Sequence, residues 1–169
     1  MRRLIAWLIL GTGACAGDGL SQLDGGTGGD SAINSPACRA CAATLESRSA
    51  ECSAQLEACT NNVQSYTEQH IACFRAEGGC QSGALEVAAG CHRSCGDPEQ
   101  ADVEHCTGGC FGDRANCAEA AIRKADGCFD QCAGASCSLC RAAGELDFDA
   151  CNSTASRCAD TCVRTYRKS

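Results

Sequence analysis

The chain has 169 residues, of which 19 are cysteine and only 4% are aromatic. So many cysteines are typical of a disulfide scaffold, and a chain with few large apolar residues needs covalent bridges in place of a large core. The formal net charge of −7 argues against binding to nucleic acid or to anionic lipid. Because dense disulfides form only in oxidising compartments, we expect a protein that works outside the cytoplasm.

The N-terminal segment has the features of a bacterial export signal. Arg2 and Arg3 give it a basic start, and residues 4–10 form an apolar stretch that is too short to span a membrane. Residues 1–14 are therefore predicted to be a signal peptide. Residues 15–35 are rich in glycine, serine and aspartate, which predicts a flexible linker.

The end of this segment, Gly-Ala-Cys at residues 13–15, resembles the lipobox of bacterial lipoproteins. The resemblance implies that Cys15 is acylated, becomes the mature N-terminus and tethers the protein to a membrane. The alanine at position 16, where aspartate would favour the inner membrane, implies the outer membrane or the cell surface. The alternative is an ordinary cleavage site at Ala14-x-Ala16, which would give a periplasmic or secreted protein.

The remaining eighteen cysteines recur at helical spacing. Most of their separations within a segment are 3, 4, 7 or 11 residues, and these steps return to nearly the same face of an α-helix. The intervening residues are rich in alanine, glutamate, glutamine and arginine, which favour helix. The pattern predicts an all-α fold of four helices, each with one stripe of cysteines.

The order of these separations is nearly palindromic in each half of the chain. The first eight cysteines are separated by 3, 11, 7, 14, 7, 11 and 4 residues, and the last ten by 4, 7, 11, 4, 5, 3, 11, 7 and 4. Rungs between two antiparallel helices produce this mirror pattern, because the residue numbers of partners then have a nearly constant sum. The nine predicted bridges are Cys38–Cys95, Cys41–Cys91, Cys52–Cys80, Cys59–Cys73, Cys106–Cys162, Cys110–Cys158, Cys117–Cys151, Cys128–Cys140 and Cys132–Cys137.

The centres of the two mirror patterns locate the hairpin turns. One centre is near Tyr66 and the other near Gly134, and both lie among turn-forming residues. Between the hairpins, Gly-Asp-Pro at residues 96–98 has the residue types of a helix end followed by a new helix start. We therefore predict two disulfide-laddered antiparallel helical hairpins, residues 36–95 and 96–169, which can pack as a four-helix bundle.

The cysteine spacing also contains an internal repeat. The pattern over residues 38–59 recurs over 137–158, and the pattern over 73–95 recurs over 110–132. The first helix thus resembles the fourth, and the second resembles the third. Paired glycines inside the middle helices would weaken them by about 1 kcal/mol per residue, so we expect the fold to be lost when the disulfides are reduced.

Metal binding is an alternative use of the cysteines. Histidines adjoin them at zinc-like spacing in two places, in the sets Cys91, His92, Cys95 and His105, Cys106, Cys110. The chain also resembles bacterial copper-storage proteins in cysteine density and helical stripes, which implies a bundle that sequesters Cu(I) or another soft metal. It differs from them in spacing, and no methionine follows Met1. Our main hypothesis is instead a structural or binding module that uses no metal or other cofactor. It places the three histidines on the surface: His70, His92 and His105.

Two further pairing patterns compete with the mirror bridges. Residues 38–41 and 137–140 have the Cys-x2-Cys spacing of thiol–disulfide redox proteins, although the strand-to-helix context of such motifs is not evident. Residues 91–110 resemble the twin Cys-x3-Cys pattern of the helical-hairpin chaperones of mitochondria. That resemblance implies the bridges Cys91–Cys110 and Cys95–Cys106, which would leave four other cysteines without mirror partners.

No catalytic motif is evident in the sequence. We find no Ser/His/Asp set, phosphate-binding loop or paired carboxylate motif, and expect no enzymatic activity. Cysteine periodicity with a lipobox resembles bacterial cysteine-rich lipoproteins of unknown function, a resemblance that implies no particular activity. The first hypothesis is a non-enzymatic, membrane-anchored structural or binding module with an unidentified protein partner and no nucleic acid.

Overall fold

The computed structural model describes residues 35–134 and 136–167. Over these residues the chain has no strand and forms four helices: α1 (Pro36–Asn61), α2 (Glu68–Cys95), α3 (Pro98–Phe129) and α4 (Ser136–Tyr166). The predicted all-α class is thus confirmed. No helix in this part of the chain has the length and hydropathy needed to cross a membrane. The predicted signal peptide, Cys15 and all of the predicted linker but Ser35 lie outside the described residues.

The junction between α2 and α3 has the predicted helix-ending and helix-starting residues. Gly96 ends α2 with a φ of 91°, a left-handed conformation that glycine adopts without a steric penalty. The Asp97 carboxylate then accepts a hydrogen bond of 3.0 Å from the backbone N–H of Gln100, which caps the first turn of α3. Pro98 occupies the start of the helix, where a missing N–H costs nothing.

Nine disulfides form two ladders of rungs, one within each hairpin. The Cα–Cα distances across them are 5.2–5.8 Å, within the range that a disulfide requires. They join the same pairs that the mirror pattern gives, with four rungs between α1 and α2, four between α3 and α4, and a fifth in the second hairpin from Cys132, in the turn after α3, to Cys137 of α4. Among the described residues no disulfide joins the two hairpins, so the twin Cys-x3-Cys pairing is not formed.

The two hairpins pack together through α2 and α3. Close backbone contacts in the described part of the chain run from α1 to α2, from α2 to α3 and from α3 to α4, and α1 does not approach α4. Beside their cysteines the inner helices bury a second face, composed of Ile71, Ala84, Leu85, Ala88, Ala89, Ala101, Val103, Ala115, Ala118, Ala121, Ile122 and Ala125. The outer helices bury only cysteines and Gly144. Helices α1 and α4 therefore depend mainly on their rungs.

One glycine allows α2 and α3 to approach closely. A Cβ atom at Gly78 would lie 2.6 Å from Ala115 Cβ and 3.2 Å from the carbonyl oxygen of Phe111. The neighbouring Gly79 has no atom within 4 Å of a Cβ built in the same way. The two adjacent glycines thus differ in their surroundings, since only at Gly78 does the contact between α2 and α3 exclude a side chain.

This difference predicts opposite effects of two adjacent substitutions. Gly78→Ala should lower the free energy of unfolding by about 1–3 kcal/mol, because the added methyl group overpacks the interface. Gly79→Ala should raise it by up to about 1 kcal/mol, because alanine favours helix and the position is open. Guanidinium unfolding of both variants with the disulfides intact measures the two values. A Gly78→Ala variant as stable as Gly79→Ala would contradict the close approach.

Reduction of all nine disulfides should remove most of the helical circular dichroism. The physical reason is that α1 and α4 bury almost nothing except cysteine, while typical bridges contribute about 2–4 kcal/mol each and do not add when nested. The measurement is the far-ultraviolet spectrum before and after reduction, with alkylated thiols to prevent reoxidation. A reduced chain that retained its full helical signal would show that packing alone is sufficient.

Candidate functional site

All eighteen cysteines among the described residues are bridged. The two Cys-x2-Cys segments do not form their own disulfides, since Cys38 pairs with Cys95 whereas Cys41 pairs with Cys91. The segment at residues 137–140 is divided in the same way between two rungs. Neither segment has the internal bridge of a thiol–disulfide redox motif.

The zinc-like Cys/His sets are not brought together either. Their cysteines lie in rungs, and His105 is exposed with its Nδ1 atom 2.6 Å from Glu86 Oε1. His92 lies on the face of α2 that packs against α3, beside the cysteine stripe, and is only 3% exposed. The prediction that His92 is a surface residue is therefore wrong. Its position continues the helical stripe of Leu85 and Ala88, a spacing that could have identified it as an interface residue.

His92 belongs to a buried polar network at the α2–α3 interface. Its Nδ1 atom lies 2.8 Å from Glu104 Oε2, and the Glu104 side chain is 2% exposed. Gln100 Nε2 donates to the other carboxylate oxygen at 3.0 Å. The guanidinium of Arg167 in turn donates to Gln100 Oε1 at 2.6 Å. A buried carboxylate is tolerated only with such partners, so this network fixes how α3 docks on α2.

A second buried pair lies further along the same interface. Arg114 Nη1 donates to Glu77 Oε2 at 2.6 Å, and both side chains are largely buried. The Nε atom of the same arginine donates to Asn152 Oδ1 at 2.9 Å. Arg114 thus connects α2, α3 and α4. Charged residues of this kind occur throughout the sequence, and nothing in their spacing distinguished this pair beforehand.

A cluster of aromatic rings lies where the turn of the first hairpin contacts the second. Its members are separated by ring-centroid distances of 5.1–6.4 Å and are Tyr66, His70, Phe74, Phe129 and Phe148. Tyr66 has a φ of 62°, an uncommon conformation for a residue with a side chain. Its ring covers Gly144 of α4, where a Cβ atom would lie 2.7 Å from the ring. The turn is therefore held in place by the opposite hairpin.

The histidine of this aromatic cluster is held in its neutral form. The backbone N–H of Tyr66 donates to His70 Nδ1 at 3.1 Å, so that nitrogen must be unprotonated. Burial lowers the pKa of His70 below its ordinary value. The half-buried ring also differs from the predicted surface position. Burial, and then the negative charge of Glu145, raise the pKa of the Tyr66 phenol, against an opposing effect of Arg141.

The buried His92–Glu104 pair predicts a strong coupling between two substitutions. Glu104→Leu alone should lower the free energy of unfolding by about 3 kcal/mol, because the buried His92 loses its partner. The double variant His92→Leu/Glu104→Leu should lose clearly less, because the buried imidazole is removed together with its partner and only the half-buried Gln100 amide loses a hydrogen bond. The double-mutant cycle is measured by guanidinium unfolding. Single-variant losses that simply add in the double variant would contradict the pairing.

The lowered pKa of His70 predicts a loss of stability in acid. Its contribution is fully present above the unfolded-state pKa of about 6.5 and is lost as the pH falls through the lower folded-state pKa. His70→Asn keeps a hydrogen-bond acceptor near the Nδ1 position but does not titrate in this range. Its unfolding midpoint should therefore change less than that of the wild type between about pH 7.5 and about pH 5. An equal change in both proteins would exclude His70 as the source.

Comparison with protein-family models, with curated proteins and with solved structures finds no match to this chain.

Proposed function

We propose that the protein is a non-enzymatic lipoprotein, tethered at the outer membrane or cell surface by Cys15, that serves as a rigid structural or binding module. The observation that supports this most directly is the count of cysteines. The chain has 19, and 18 of them pair with one another within the described residues. Cys15 alone is left over, and it occupies the lipobox-like position. An unpaired thiol with no bridge to form is what acylation of that residue requires.

The number of disulfides indicates the kind of compartment in which the protein works. Nine disulfides in a body of four helices need an oxidising environment to form and to persist. This argues for a location outside the cytoplasm and against a cytosolic role. A lipid anchor at the start of a flexible linker would hold such a body at a membrane without a spanning helix. The periplasmic or secreted form, cut at Ala14-x-Ala16, is the competing outcome.

The surface of α4 offers the apolar area that a binding role needs. Leu139 and Leu146 are 71% and 70% exposed, and their spacing of seven residues places them on the same face. Their apolar side chains suit contact with a protein partner rather than with nucleic acid. The partner itself is defined in this proposal only by that apolar chemistry.

Metal storage in the oxidised protein is not supported. Soft metals bind cysteine as thiolate, and every described cysteine is bridged. Free-thiol titration of protein isolated from the native envelope separates the two functions. Near-zero free thiols support the structural or binding module, whereas many free thiols with bound Cu(I) would contradict it.

The anchor is tested by expressing the full chain in a Gram-negative bacterium supplied with an alkyne-bearing fatty acid. We expect the protein to carry the label and to sediment with outer membrane. Cys15→Ser should lose both the label and the sedimentation. Ala16→Asp is the matched control, and it should keep the label but move the protein to the inner membrane. An unlabelled, released wild-type protein whose N-terminus follows Ala16 would overturn the anchor.

A further inference from the structure

Two adjacent rungs at the open end of the second hairpin are in sulfur–sulfur contact. They are Cys106–Cys162 and Cys110–Cys158, and the Sγ atoms of Cys110 and Cys162 lie 3.8 Å apart. The Sγ atoms of Cys110, Cys158 and Cys162 all lie within 4.8 Å of one another. Cys106, bonded to Cys162, is the fourth sulfur of this group. We refer to these four residues as the sulfur cluster.

The spacing of the cysteines explains why the cluster forms here. Each helix contributes two cysteines to the cluster, four residues apart, at positions 106 and 110 on α3 and at positions 158 and 162 on α4. Adjacent rungs are then separated by one helical turn on each side and face each other directly. The other two places with closely spaced rungs combine a step of four with a step of three. No second group of three such ligand atoms is this close together among the described residues.

The dimensions of the cluster match a tetrahedral thiolate site. With Zn–S distances of about 2.3 Å, the sulfurs of a tetrahedral site lie about 3.8 Å apart. Cys110 and Cys162 already have that separation across two different rungs. A cavity of about 60 Å³ adjoins Cys110 and Cys158 and extends to the Cys117–Cys151 rung. The sulfurs of Cys110 and Cys158, once released from their bridge, would therefore have room to move apart.

We propose that the sulfur cluster, once its two rungs are reduced, binds one tetrahedral divalent cation of the Zn²⁺ type. Two molecules of a dithiol reductant supply four electrons and four protons, break the two S–S bonds and leave as two cyclic disulfides. The four thiols then lose their protons to solvent and form four metal–sulfur bonds. This site goes beyond the proposed function, because it exists only in a reduced state of the open end.

The position of the cluster at the end of the hairpin allows both of its rungs to be reached and opened. Cys106–Cys162 is the last rung of the hairpin, so α4 can separate from α3 beyond it without straining another bridge. Cys106 and Cys158 are half-buried, whereas their partners are almost fully buried. A reductant therefore reaches one sulfur of each rung from solvent. The remaining seven rungs would keep both hairpins formed, and metal bonds would replace the two lost bridges.

The test is a Co²⁺ titration of the full chain under anaerobic conditions after stepwise reduction. At about two equivalents of reductant, one Co²⁺ per chain should bind with the sulfur-to-cobalt charge transfer and intense visible bands of tetrahedral thiolate coordination. Zn²⁺ should displace it. Alkylation of the Zn²⁺ complex followed by peptide mapping should find protection at the four cysteines of the cluster, which are Cys106, Cys110, Cys158 and Cys162.

Two rung-deletion variants make the result specific. Cys110→Ser/Cys158→Ser removes two ligands and should lose the cobalt bands. Cys41→Ser/Cys91→Ser removes a rung at the corresponding end of the other hairpin and should retain them. Absence of the bands in the wild type, or their persistence in the first variant, would overturn the site. If the first variant loses its helices before reduction, the wild-type protection map decides, and protection of other cysteines would overturn the site.

Discussion

Each hairpin is held together by disulfides that fix the helices at Cα–Cα distances of 5.2–5.8 Å. Helices this close leave little space for large side chains between them, which accounts for outer helices that bury almost only cysteine. The same constraint removes the need for a large apolar core. It also consumes every described thiol, and this limits what chemistry the folded, oxidised protein can perform.

No disulfide in the described part of the chain joins the two ladders, which are connected by the backbone at Gly96 and Asp97. Their contact along α2 and α3 combines alanine packing, the close approach at Gly78 and two buried pairs, His92–Glu104 and Glu77–Arg114. An alanine-rich surface can slide in several registers with similar apolar burial. Buried polar partners are satisfied in only one of them, so we assign to these pairs the choice of register.

The pairing of the cysteines could be predicted from the sequence because rungs between antiparallel helices obey a simple numerical rule. Antiparallel rungs give constant sums of residue numbers, and eighteen positions had to agree with two centres. The interface between hairpins followed no such rule. His92 was expected at the surface, and its partner Glu104 lies on another helix. The strained conformation of Tyr66 depends on Gly144 in the opposite hairpin, a contact that local turn preferences do not contain.

Non-reduced peptide mapping is the decisive measurement of the cysteine pairing on which the fold depends. Proteolysis of the native protein under conditions that prevent exchange, followed by mass spectrometry, identifies which peptides remain joined. The two ladders predict only links within residues 36–95 and within residues 96–169, each at a mirror pair such as Cys52–Cys80. Recovery of Cys91–Cys110 or Cys95–Cys106, which would join the two hairpins, would contradict it.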